Sequence, residues 1–349
     1  MELGRDLQVP EQSVTNVGRR ALVVGIDKYL NISSIAGCEN DACAVAKLLE
    51  SNEDKTPNYA IEIAVASCNT DTTISRAELR EALKKLFAND YHGDVLLYYS
   101  GHGALEQTGG YIATSDAIKN DLGIPMHEVL QWACMSGARE VLIILDCCHS
   151  GDLGAIPLLA TTGQTNLLSI LKENMTIMAA SKATQVAVEA SGHGLFTSAL
   201  IDALEGGAAD HMGWVTAPAV YAYVERRFGE FDQRPVYRSH ATGVGVVRRC
   251  APLIERLKLY EMVQLFPSEH YRYVLDPEFE PEDEHGNLHE PVNQEKVRIS
   301  RLLKDFRDAG LLKPSVAGEQ LFWAARNGNS VELTPRGREY WRLVKYRRI

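Results

Sequence analysis

Over roughly the first 250 residues, short apolar runs alternate with longer stretches of helical spacing. The runs are "ALVVGID" (21–27), "IEIAVAS" (61–67), "DVLLYYS" (94–100), "REVLIILDCC" (139–148) and "MTIMAAS" (175–181). They are rich in branched residues and bounded by Gly, Asp, Asn or Ser, as buried strands are. Between them, "NDACAVAKLLES" (40–51) starts on two capping residues and repeats its apolar positions every three or four. "TISRAELREALKKLFAND" opens with a cap signal and continues as an amphipathic helix. A short strand near "YIATSDA", helices in "MHEVLQWACMSG" and "FTSALIDALEG", and a closing strand in "ATGVGVVRR" complete the series. Strand alternating with helix predicts an α/β fold, a mainly parallel sheet with helices on both faces. Functional groups in such sheets gather beyond the carboxyl ends of the strands.

After Cys250 the pattern becomes helical, in "LIERLKLYEMVQLF" and "EKVRISRLLKDFRDAGLL". The acidic, proline-containing "EFEPEDEHGNLHEP" between them reads as an exposed loop. "EQLFWAARNGNSVELT" suggests two short strands joined at Asn327-Gly328, and a helix starts near Thr334-Pro335. The expected division is an N-terminal extension (1–18), an α/β domain (19–249) and a small α+β domain (250–349). The last resembles a winged helix, with "LLKDFRDAGLL" as its second helix and "LFWAARNGNSVELT" as the wing.

Composition narrows the function classes. Of 349 residues 36 are Lys or Arg and 46 Asp or Glu, so the net charge of −10 argues against bulk nucleic-acid binding. No apolar run reaches membrane-spanning length, and the first residues lack a signal-peptide pattern. Seven cysteines spread without a secretory leader point to a reducing, cytoplasmic setting. No strand leads into a nucleotide-binding glycine loop.

Two strand ends carry reactive groups. "LLYYSGHG" sets His102 between two glycines, and "LIILDCCHSG" ends on Cys147, Cys148 and His149. On adjacent parallel strands both would face one crevice, where an imidazole can take a thiol proton and leave a nucleophilic thiolate. The glycines leave room for a substrate backbone, and free N–H groups there can stabilise an oxyanion. A metal site suits the residues poorly, because adjacent Cys-Cys-His cannot easily turn three ligands onto one centre. A second Gly-His-Gly, at 192–194, precedes a helix and makes His193 the weaker candidate for the base. His149, next to the thiol in the chain, is a poor base for it.

"SGHG" followed by "DCCHSG" resembles the caspase-like clan of cysteine peptidases, and within it the metacaspase branch. His102 and Cys148 are 46 residues apart, close to the spacing of about 50 in caspases. "ALVVGIDKY", "GCENDA" and "TIMAASKATQVAVE…GHGLFTSALIDAL" occur in the same order as the family's blocks, so the resemblance covers residues 19–249. It implies Cys148 as nucleophile, His102 as general base, and the backbone N–H groups of Gly103 and Cys148 as the oxyanion hole, with Cys147 packing the strand end. It also implies a pocket lined by Cys38, Asp41, Ser100 and Asp146. Two carboxylates there would repel acidic side chains and pair with Arg or Lys, Arg preferred for its fork.

Many metacaspases need calcium, held by aspartates after the catalytic block. Here Asp152 is the only acid between Gly151 and Lys172, too few oxygens for such a site, so no cofactor or metal is expected. Self-processing in that span would fall after Lys172, its only basic residue, which also reads as a solvated helix residue. The expected function is a cysteine endopeptidase acting on protein or peptide substrates. The resemblance to prokaryotic relatives suggests a stress, cell-suicide or antiviral defence effector switched on by a protein partner through the C-terminal domain. The alternative is a DNA-binding regulator whose peptidase-like domain is inactive, although only the tail "RGREYWRLVKYRRI" is clearly basic.

Overall fold

The apolar runs become the strands of one sheet because their alternating residues face two separate helical layers. The computed structural model describes residues 18–106, 109–118, 121–148, 171–180, 192–229, 234–243, 245–280, 282, 286 and 292–349. The chain forms two compact units, one of residues up to Ala209 with Trp214–Cys250, the other of Asp210–Gly213 with Ala251–Ile349.

The first unit runs β1 (Arg19–Ile26), α1 (Cys38–Glu50), β2 (Ala60–Ala66), α2 (Arg76–Leu86), β3 (Asp94–Glu106), β4 (Gly109–Ile118), β5 (Asp121–Pro125), α3 (Met126–Met135), β6 (Glu140–Cys148), β7 (Met175–Ala179), α4 (Leu195–Asp202), β8 (Trp214–Thr216), α5 (Ala217–Glu225), β9 (Val236–His240) and β10 (Val246–Arg249). The main sheet has the order β2-β1-β3-β6-β7-β9. Its first five strands are parallel and β9 is antiparallel, so the predicted α/β architecture is observed. One face packs Leu22, Val24, Leu97, Tyr99, Ile143 and Ile177 against α2 and α3. The other packs Val23, Leu96, Tyr98, Leu142 and Ile144 against α1, α4 and α5.

The closing strand differs from expectation. "ATGVGVVRR" supplies β10, which pairs with β8 in a separate two-stranded sheet, whereas the main sheet ends on β9. The reason is that β9, "VYRSH", lies at an edge and is half exposed, so it carries no apolar signal. The strands β5 and β8 and the helix α5 also went unforeseen.

The second unit contains α6 (Arg256–Leu265), β11 (Tyr273–Val274), α7 (Gln294–Asp308), β12 (Leu312–Pro314), α8 (Leu321–Arg326), β13 (Ser330–Leu333) and α9 (Pro335–Lys345). Its own core includes Phe266, Phe306, Leu311, Val331 and Trp341, and its strands form an antiparallel sheet in the order β11-β13-β12. Here the wing is corrected: "LFWAAR" is the helix α8, not a strand. Leu321, Ala324 and Ala325 are buried with helical spacing, and Asn327 with Gly328 at φ +66° ends a helix where a hairpin was expected. Among the described residues, no helix is long and apolar enough to cross a membrane.

Candidate active site

The site lies at the carboxyl ends of β3 and β6, whose parallel register pairs Ser100 with Asp146, Gly101 with Cys147 and His102 with Cys148. Neighbouring strands are about 4.8 Å apart, so the two residue types singled out in the sequence are brought together by backbone pairing alone. At Gly103 the strand β3 leaves β6 and begins its antiparallel pairing with β4. Gly101 has no room for a side chain, since a Cβ there would stand 2.6 Å from the Tyr99 hydroxyl and 2.9 Å from that of Tyr29.

Those two phenols hold His102. Its backbone N–H donates to the Tyr29 hydroxyl (2.8 Å), and its carbonyl accepts from the Tyr99 hydroxyl (2.8 Å), which is equally close to the Ala113 carbonyl. The Tyr29 and His102 rings stack at 4.7 Å between centroids. Burial raises both phenol pKa values well above the ordinary range, so neither phenol ionises near neutral pH. The imidazole Nε2 lies 2.8 Å from the Ser33 carbonyl. A carbonyl can only accept, so Nε2 carries a proton, and in the neutral ring the lone pair is on Nδ1. The fold thus selects which nitrogen can act as a base.

Beside this pair is a buried acidic pocket. Asp27, at the end of β1, accepts from the N–H groups of Cys38 (2.8 Å) and Glu39 (3.3 Å) and so caps the start of α1. Gly25 allows the approach, because a Cβ there would lie 2.2 Å from the Cys38 carbonyl oxygen. The first turn of α1 then carries buried Cys38 and Asp41 to the strand ends. Asp41 accepts from the Ser100 hydroxyl (3.2 Å) and its other oxygen is 2.7 Å from Nδ1 of His193. Asp146 accepts from the Thr197 hydroxyl (2.7 Å) in the first turn of α4, and that hydroxyl also meets Tyr98 (2.6 Å). Burial, then repulsion by Asp146, raises the Asp41 carboxyl to about 7, with His193 and Ser100 opposing the shift. Burial raises Asp146 to about 6 against hydrogen bonds from Thr197. Asp41 makes no ion pair with Lys or Arg among the described residues, and neither does Asp146. Two acids crowded together without a strong base are poised to gain from a cation brought in from outside.

The remaining predicted positions separate. Cys147 is half-buried against the core between the sheet and α3. Lys172 donates to the carbonyls of Ser136 (2.6 Å) and Ala138 (2.5 Å), and a cut after it requires that anchor to release. It is not the solvated helix residue that the sequence suggested. His149 and Asp152 lie outside the described residues, as does the rest of the span before Leu171. Among the described residues, no cluster of three or more His, Cys, Asp or Glu is placed to hold a metal. Sequence reasoning missed Asp27, Tyr29, Tyr99 and Thr197 as supports of the site, and missed His193 as a member of the acidic pocket. Asp27 and Tyr29 were within reach, standing in "GIDKY" directly after a strand.

Residues 18–244 match the family model described as the caspase domain, well over half of the chain. Among curated proteins the chain is similar to Metacaspase-1 of Schizosaccharomyces pombe, 26% identical over 170 residues that cover 45% of this chain and 40% of that one. It is also similar to Metacaspase-1 of Cryptococcus neoformans (27% over 159 residues; 41% of this chain, 34% of that one). Metacaspase-3 of Trypanosoma cruzi is 27% identical over 161 residues (40% of this chain, 42% of that one). The chain therefore spans less than half the length of each of these relatives.

Proposed function

We propose, since this chain belongs to the caspase-domain family, that it is a cysteine endopeptidase that cleaves protein or peptide substrates after Arg or Lys. The observation that carries the reading is the register of His102 opposite Cys148 beside two buried carboxylates that make no ion pair with Lys or Arg among the described residues. In this mechanism Nδ1 of His102 takes the Cys148 thiol proton. The thiolate attacks the scissile carbonyl carbon, and the backbone N–H groups of Gly103 and Cys148 receive the oxyanion. His102 then returns the proton to the leaving amine, and water hydrolyses the acyl-enzyme. Asp41 and Asp146 hold the guanidinium or ammonium of the residue on the acyl side of the scissile bond, with Ser100 and Cys38 completing the wall.

A fluorogenic panel ending in Arg, Lys or Asp tests this on the full chain. Arg peptides should be cut fastest, Asp peptides negligibly, and Cys148→Ala should abolish turnover. His102→Ala should cost about 10²–10⁴-fold. EGTA should leave the rate unchanged if, as proposed, no calcium is required. Faster cleavage after Asp would refute the specificity. We assign the second unit, which contains neither His102 nor Cys148, to recognition of an activating protein partner. A shift of duplex DNA by the full chain at low and moderate salt would overturn that assignment.

A further inference from the structure

His193 has no part in the acyl transfer just proposed, yet its ring lies in the acidic pocket. Nδ1 is 2.7 Å from Asp41, and the imidazole side chain is 21% exposed against 5% for the carboxylate, so the ring is the more accessible partner of the pair. It is carried by a turn held between two helix starts. Gly192 has φ +79° and its carbonyl would lie 3.3 Å from a Cβ on Gly37, the residue before α1, while Gly194 directly precedes α4. Both Asp41 oxygens are thereby engaged, one by His193 and the other by Ser100. A substrate cation needs those same oxygens.

We infer that His193 is an internal occupant of the pocket, holding Asp41 in the free protein and giving it up to the incoming guanidinium, and so sets the affinity for basic substrates. This rests on the acidic-pocket reading above. The ring meets Asp41, and beside that carboxylate lie Asp146 from β6, Cys38 and Tyr98. Burial keeps the Tyr98 phenol neutral, and the only charged residue of α4, Asp202, is in its last turn. The free protein has every unpaired state that a His193-less protein has, plus the paired one. Removing the ring must therefore tighten cation binding by the weight of that pair.

The test uses the full chain bearing Cys148→Ala, with agmatine as the guanidinium probe in calorimetry at pH 8, above the raised Asp41 value. Adding His193→Ala should tighten agmatine binding at least about tenfold, the value of one hydrogen bond to a charged group. His193→Gln keeps a neutral hydrogen-bonding group on Asp41. It should bind agmatine more tightly than the parent and less tightly than the alanine variant, and it serves if the alanine variant fails to fold. Equal or weaker binding without the imidazole would overturn the inference and make His193 a positioning residue for Asp41. If agmatine binds neither the parent nor the variants, the acidic-pocket reading fails, and this inference with it.

Discussion

Asp41→Asn should make the protein more stable and less active, and both changes can be estimated. Asp41 is 3% exposed, and its carboxyl is raised from 3.8 to about 7. Each pH unit of separation is worth about 1.4 kcal/mol, so keeping Asp41 ionised in the folded state costs about 4 kcal/mol above pH 7. The folded protein holds this proton more tightly than the unfolded chain does. The cost is therefore absent below pH 3.8, grows as pH rises, and is complete above about pH 7. Asparagine cannot ionise and escapes it, while its amide oxygen still accepts from Ser100. Relative to wild type, the variant should gain about 2–3 kcal/mol between pH 5 and pH 8, read by urea denaturation at each pH. Activity should move the other way. Losing one buried carboxylate partner of a guanidinium costs at least about 3 kcal/mol, or roughly a hundredfold in kcat/KM for Arg peptides at pH 8. A variant whose stability relative to wild type stays flat or falls with pH, or one that cuts Arg peptides within tenfold of wild type, refutes the reasoning.

Two further substitutions probe a support of the site and the anchor of Lys172. Tyr29→Phe removes the acceptor of the His102 N–H, and should cost about 1–3 kcal/mol in denaturant unfolding and lower kcat more than it raises KM. A drop confined to KM would mean that Tyr29 does not position the base. Lys172→Ala removes two hydrogen bonds to carbonyls and should cost about 1–3 kcal/mol while cleavage of Arg peptides continues. Mass spectrometry alongside would settle its other reading. A cut after Lys172 in wild type that is absent from Cys148→Ala would make it the processing site.

Local information was enough for most of the main sheet's strands and for the candidate residues at their ends. The two most apolar strands ending in "SGHG" and "DCCHSG" can be read without coordinates, because strand burial and a glycine-flanked histidine are properties of adjacent residues. The helix at Thr334-Pro335 was legible for the same reason, its capping hydroxyl lying next to a proline suited to a first turn. Where local signals compete, the reading failed. Asn327-Gly328 suits a hairpin as well as a helix end, and only the packing of Leu321, Ala324 and Ala325 into the second unit's core selects the helix. The edge strand β9 was invisible because exposure at an edge asks little of the side chains.

By itself, then, the sequence determined an α/β chain with histidine and cysteine at strand ends and acids nearby, since these follow from residue type and short-range periodicity. Tertiary structure alone decided the rest. The β3–β6 register puts His102 opposite Cys148, a carbonyl 69 residues away fixes the proton on its Nε2, and a turn 152 residues from Asp41 sets His193 against it. Those contacts join segments far apart in the chain. Hydrogen-bond direction and buried charge depend on where such segments meet in space, and no local pattern encodes that.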